Sequence, residues 1–145
     1  MVELDEVTAR RLLEELKDAL VDEFTMPAGG EQHKGFDVES QNGADKFHID
    51  LYRGKIDFDK HSISARIQGG GIVLMRLCVN PSQPHSNPDG TIILGNHLHI
   101  YRSGYAENFA ESVDIESSNF VNDTLLLLQR FNVVKKPLLQ DAMMP

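Results

Sequence analysis

The sequence predicts an α+β domain, in which a mostly antiparallel β-sheet carries an N-terminal and a C-terminal helix on one face. Three observations lead to this prediction. Apolar side chains recur every three or four residues near both ends of the chain, as they do in amphipathic helices. Between the ends, apolar and polar residues alternate in short segments, as in strands with one buried face. Turn-forming Gly, Asn and Pro residues separate these segments.

The size and composition of the chain fit a single domain spanning residues 1–145. Its 145 residues are 41% hydrophobic, which is enough to form a real core. We find no run of about 18 apolar residues and no signal-like start, so we expect a cytoplasmic protein without a membrane span. The single cysteine, Cys78, cannot form an internal disulfide. We interpret it as a small core residue.

The first helix is predicted from about Asp5 to Phe24. Leu13, Leu16 and Leu20 recur along it at helical spacing. The carboxylate of Asp5 can cap the free backbone N–H groups at the helix start. The Pro and Gly residues that follow Phe24 then end the helix.

The middle of the chain is predicted to be strands. Alternating segments are Gly35–Ser40, Lys46–Arg53, Ser62–Ile67 and Thr91–Tyr101, with a further short strand at Ser112–Ile115. Ile72–Val79 is apolar apart from Arg76, which indicates a central strand covered on both faces. Ser117, Ser118 and Asn119 offer an N-cap for a second helix to about Phe131. The tail Lys135–Pro145 is expected to be loosely held, although Leu138 and Leu139 could dock.

The stretch from Pro84 to Tyr105 holds three of the six histidines. Alternate side chains of a strand share a face, so His97, His99 and Tyr101 are predicted on one face of the sheet. Two imidazoles spaced two residues apart can reach one metal ion, and zinc favours nitrogen ligands. The preceding loop could supply His85 as a further ligand, with Asp89 as the fourth ligand or as a hydrogen-bond partner.

A metal-free interpretation of the same residues stays open. Histidine is the commonest general acid–base residue, and arginine binds phosphate well. His97, His99, Tyr101 and Arg76 could therefore form the catalytic set of a toxin-type ribonuclease that uses the RNA 2′-hydroxyl. The acidity of the chain weighs against this alternative, because an RNA-binding groove is basic. A third alternative is a structural domain whose histidines have no special role.

Four blocks of sequence resemble an uncharacterised bacterial and prophage family. The blocks are FHIDLYRGKI from Phe47, LMRL from Leu74, HSNPDG from His85 and HLHIYRSGY from His97. The resemblance spans roughly Phe36 to Phe131 and is densest around the histidines. It implies a shared fold and a centre formed by His85, His97 and His99, and it implies no activity.

These observations favour a small acidic binding protein with a structural zinc-type site, encoded by a phage or mobile element. The net charge of −8 argues against direct binding to nucleic acid, because phosphate backbones reward a basic surface. An acidic surface could instead occupy the basic groove of a protein partner that acts on nucleic acid. A Cas-type nuclease is one such partner, which makes the chain an anti-CRISPR candidate.

Overall fold

A computed structural model of the chain describes residues 3–29, 34–57, 59–115 and 119–142. The helices are α1 (Glu6–Glu14) and α2 (Phe120–Arg130). The strands are β1 (Lys17–Ala19), β2 (Glu23–Thr25), β3 (Lys34–Ser40), β4 (Lys46–Arg53), β5 (His61–Ile67), β6 (Val73–Val79), β7 (His85–Ser86), β8 (Ile92–Ile93), β9 (His97–Ile100), β10 (Ala110–Ser112), β11 (Val133–Lys135) and β12 (Leu138–Gln140).

Among these residues, eight strands form one large sheet in the order β10-β9-β6-β5-β4-β3-β1-β11. Neighbours in this sheet are antiparallel except β1 and β11, which are parallel. β2 pairs with β12, and β7 pairs with β8. With one helix near each end of the chain, this architecture confirms the predicted α+β fold. Neither helix in the described ranges has the length and apolar character that crossing a membrane requires.

The alternation in the central strands puts one face of the sheet into the core. Phe47, Ile49 and Leu51 of β4 are fully buried, whereas the residues between them are half-buried. Leu127 and Leu128 of α2 belong to the same core, and so does Leu12 of α1. The opposite face of the central strands therefore carries polar side chains.

The first helix is shorter than predicted, because residues 17–19 join the sheet. α1 ends at Glu14, and β1 pairs with both β3 and β11. Leu16 and Leu20, which were expected in the apolar stripe of the helix, are 53% and 54% exposed. The side chains that go inward are those of Ala19 and Lys17. The ammonium of Lys17 donates hydrogen bonds to the carbonyl oxygens of Leu13, Glu15 and Phe131. Pairing within the sheet thus overrides local helix propensity.

The C-terminal part agrees with the prediction in its helix, and part of its tail is more firmly held than predicted. Asn119 caps α2 by accepting a hydrogen bond from the backbone N–H of Asn122. Ser117 and Ser118 lie outside the described residues. The tail was expected to be loosely held apart from docking of Leu138 and Leu139, and Leu138–Gln140 pairs with β2 in register. Further along, Asp141 accepts a hydrogen bond from Arg53 at 2.8 Å, so part of the tail is docked.

Candidate metal centre

The register between β6 and β9 brings four side chains together in one polar block, formed by Arg76, Cys78, His97 and His99. Cys78 lies opposite His97, and Arg76 lies opposite His99. Side chains that face each other across antiparallel strands lie on the same face of the sheet. Leu77 and Leu98 alternate with them and enter the core, so the block lies on the polar face. Cys78, His97 and His99 each offer one atom that can bind a metal, and these three atoms lie within 4.8 Å of one another.

Backbone carbonyls fix the tautomers of the two strand histidines. The Nδ1 of His97 lies 2.9 Å from the carbonyl oxygen of Gly95, and that of His99 lies 2.7 Å from the carbonyl oxygen of Glu107. A carbonyl can only accept, so each Nδ1 carries the proton and each Nε2 keeps its lone pair. This is the arrangement by which proteins orient histidine ligands of metals.

The environment of the block favours neutral imidazoles. Burial, followed by the positive charge of Arg76, lowers the pKa of His99 to about 4. Burial also lowers the pKa of His97, although its bond to Gly95 opposes this. Both rings are therefore in the form that coordinates a metal at neutral pH. Burial raises the pKa of the Cys78 thiol, and the charge of Arg76 opposes that shift.

Arg76 lies beside the histidines and is held there by an ion pair with Glu107. Its Nη1 donates to Oε1 of Glu107 at 3.0 Å, and its Nη2 lies 3.5 Å from Nε2 of His99. Two further buried atoms, Nε of Arg76 and Oε2 of Glu107, have no hydrogen-bond partner among the residues that the structure describes. Glu107 therefore offsets part of the charge of Arg76, and the pair leaves some hydrogen-bonding capacity unused.

His85 lies against both strand histidines. Its ring centroid is 4.7 Å from that of His99 and 5.3 Å from that of His97. Its Nε2 lies 2.9 Å from two oxygens, the carbonyl of Asn108 and the side-chain Oδ1 of Asn87. Nε2 thus donates a proton, and it would have to leave these acceptors before it could bind a metal ion.

Asn87 holds the loop of His85 at the edge of the large sheet. Its side chain accepts from the backbone N–H of Ala110 and donates to the Ala110 carbonyl oxygen. These two bonds replace those of a neighbouring strand. Asp89, predicted as a fourth ligand, is exposed in the following turn and accepts from the backbone N–H of Thr91. That bond lowers the pKa of Asp89. The ligand roles of His85 and Asp89 stay predictions.

Tyr101 does not lie on the same face of the sheet as His97 and His99, although alternation along a continuous strand predicted that it would. The strand ends at Ile100, and Tyr101 turns into the core at 5% exposure. Its hydroxyl accepts from the backbone N–H of Leu4 and donates to the Leu4 carbonyl oxygen. The polar block therefore lacks the phenol that the ribonuclease alternative requires.

Cys78 is the residue that the sequence interpretation missed. It is half-buried on the polar face and is not a core residue. The spacing of Arg76 and Cys78 held a signal, because two non-aliphatic residues two apart indicate one polar face. Placing Cys78 beside His97 also requires the pairing of β6 with β9, which the sequence alone does not give.

The donor set fits a transition metal ion. Thiolate and imidazole are the ligand types that zinc and its neighbours prefer. A cleft of about 340 Å³ opens onto these three side chains, and Lys60, Arg76, Ser82 and His85 line it as well. Cys78, His97 and His99 can therefore hold an ion that remains accessible from solvent.

Comparison with known proteins places the chain within one family model. The model matches residues 4–133 and is described as a family of unknown function, DUF6978. Neither the curated proteins nor the solved structures gave a match.

Proposed function

This chain belongs to DUF6978, a family of unknown function, and we propose that it binds one divalent transition metal ion, of which zinc is the best candidate. Cys78, His97 and His99 are the protein ligands. The observation that carries this proposal is the convergence of one thiol and two imidazoles within 4.8 Å, both imidazoles having Nδ1 tied to a carbonyl. Oriented imidazoles next to a thiol are a recurring zinc-binding arrangement.

The site is preformed, which supports an accessible centre over a purely structural one. Its ligands stand on two strands that already pair through their backbones, so the fold does not depend on the ion. Small zinc domains behave differently, because their ligands converge only when the metal binds. Three protein ligands also leave one of the four usual zinc positions for another ligand.

Elemental analysis of the purified protein after zinc loading and dialysis tests the proposal. We expect one equivalent per chain in the native protein and a large loss in Cys78→Ser, His97→Ala and His99→Ala. His48→Ala is the matched control, because His48 also stands on a strand of the large sheet but pairs with Asp37. An absence of bound metal would refute metal binding, and equal loading in the Cys78→Ser and native proteins would refute Cys78 as a ligand. RNA cleavage by the EDTA-treated protein would instead favour the ribonuclease alternative.

Inhibition of a basic nucleic-acid enzyme, such as a Cas-type nuclease, is the second proposal, and it rests on the net charge of −8. Several acids of the chain already pair with its own arginines and are not free to meet a basic partner: Asp45 pairs with Arg11, Glu107 with Arg76 and Glu111 with Arg130. For this reason metal binding is the stronger proposal. Association that slows sharply with rising salt would support charge-driven inhibition, and unimpaired nuclease activity at saturating protein would refute it.

A further inference from the structure

The guanidinium of Arg76 has unused hydrogen-bonding capacity next to the proposed metal ligands. Glu107 takes its Nη1, while its Nε is buried without a partner among the described residues. Its Nη2 lies at a long 3.5 Å from Nε2 of His99. An arginine has five N–H donors, and burying donors without acceptors is costly.

Metal binding would take away the nitrogen acceptor that lies 3.5 Å from Nη2. The lone pair of His99 Nε2 can serve either the guanidinium or a metal ion. With the ion in place, Nη2 has lost this contact and can take another acceptor. An oxygen anion bound to the ion would supply this acceptor and would also fill the fourth zinc position.

The cleft above the block is cationic, although the chain as a whole is acidic. Arg76 and Lys60 line it together with Glu107, and Lys60 is held there by a 2.7 Å bond to Ser82 Oγ. A divalent ion with one thiolate ligand adds positive charge. The volume of about 340 Å³ suits a small molecule, since ligand pockets start at roughly 300 Å³.

We propose that this cleft binds the oxyanion of a small molecule, a carboxylate or a phosphate, between the metal ion and Arg76. This inference rests on the metal site proposed above. The planar fork of arginine matches both groups, and Lys60 adds a second positive charge at the rim. Glu107 competes with the anion for the guanidinium and so sets how tightly the anion binds.

Anion titrations of the cobalt-loaded protein test this inference. Cobalt(II) reports its ligands through its visible spectrum, and inorganic phosphate and acetate are the two probes. We expect one of them to change the spectrum saturably, with a Kd that rises about tenfold or more in Arg76→Ala. Arg76→Lys should recover only part of the affinity, because the ammonium lacks the fork. Glu107→Gln should tighten binding, since it removes the competing carboxylate.

Arg66→Ala is the matched control for these variants. Arg66 also stands on a strand of the sheet, is similarly exposed and faces an aspartate, Asp50, but it does not line the cleft. Its loss should leave the Kd unchanged. Cobalt loading is measured first for every variant. If the native protein binds no cobalt, the metal proposal fails and this inference fails with it. If cobalt binds but neither anion changes the spectrum, or Arg76→Ala titrates like the native protein, only the oxyanion inference is overturned.

Discussion

Cys78 faces His97 directly across the antiparallel pair β6 and β9. The backbone hydrogen bonds of the two strands thus set the distance between the thiol and the imidazole, and no metal is needed to bring them together. The same pair of strands sets the distance between Arg76 and His99. The thiol, the two imidazoles and the guanidinium are therefore arranged by one local register.

This arrangement predicts a metal-free protein that stays folded. We expect Cys78→Ser to unfold in denaturant within about 1 kcal/mol of the metal-free native protein, because the thiol is only half-buried. Zinc should stabilise the native protein by mass action, by about 2.7 kcal/mol at a hundred times the Kd, and so raise its melting temperature. The melting temperature of Cys78→Ser should not change. Unfolding of the native protein by EDTA alone would contradict the preformed site.

The sequence was sufficient to predict an element where a single hydrophobic pattern runs through the segment. Lys46–Arg53 alternates without exception, and β4 has those bounds. It was insufficient where two patterns overlap, as at residues 16–24. The leucines there fit a helical stripe, yet Lys17 and Ala19 are the residues that are buried. Burial of a lysine follows from three carbonyls that converge from α1, its C-terminal end and the end of α2, which no local pattern encodes.

The candidate metal centre was predictable to the same limited extent. The spacing of His97 and His99 on a strand identified two of the three side chains that converge in a cluster able to hold a metal ion. The third, Cys78, comes from another strand, and its position depends on which strands pair and in which register. The alternation within one strand fixes which face each side chain lies on, because a shift of register by one residue would turn every side chain to the other face. It does not identify the strand that pairs with it.

Gly35 is required by the close approach of β3 to β4. A Cβ at this position would lie 1.9 Å from the backbone oxygen of Ile49 and 2.8 Å from Nε2 of His48. We expect Gly35→Ala to lower the free energy of unfolding by about 1–3 kcal/mol, because a backbone atom must shift. Gly70→Ala is the control, since its Cβ would meet only the Ile67 side chain at 3.9 Å. Equal stability of the two variants in urea would contradict this explanation.

Lys17 should make stability rise with pH. Its burial lowers its pKa from 10.5 to about 8, so the unfolded chain holds more protons than the folded one between these values. Stability therefore increases as the pH rises from about 8 to 10.5, by about 3 kcal/mol at roughly 1.4 kcal/mol per pKa unit. The measurement is the difference in unfolding free energy between the native protein and Lys17→Met across this range, since other titrating groups cancel. A difference that stays constant would show that the ammonium is not disfavoured by burial.

Two histidine–aspartate pairs have nearly the same nitrogen–oxygen distance but differ in burial. Comparing them shows how much burial contributes to the stability that each pair provides. His61 and Asp123 meet at 2.7 Å with side chains 2% and 5% exposed, whereas His48 and Asp37 meet at 2.8 Å at 23% and 43%. Without the Asp123 carboxylate, the buried His61 nitrogen has neither its acceptor nor water in its place. Asp123→Ala should therefore lower the free energy of unfolding by about 2–3 kcal/mol. Asp37→Ala should cost less than about 1 kcal/mol, because water replaces its carboxylate.

The two costs should also respond differently to salt. The exposed pair is screened, so the effect of Asp37→Ala should shrink further as the ionic strength rises, whereas the effect of Asp123→Ala should persist. Urea unfolding of both variants at low and high salt makes the comparison. Asp123 also accepts a bond of 3.3 Å from the backbone N–H of Asn119 at the start of α2, so its loss weakens the cap of that helix as well. Equal costs for the two substitutions would mean that water reaches His61 after the carboxylate is removed, and that its burial in the fold does not determine the strength of the pair.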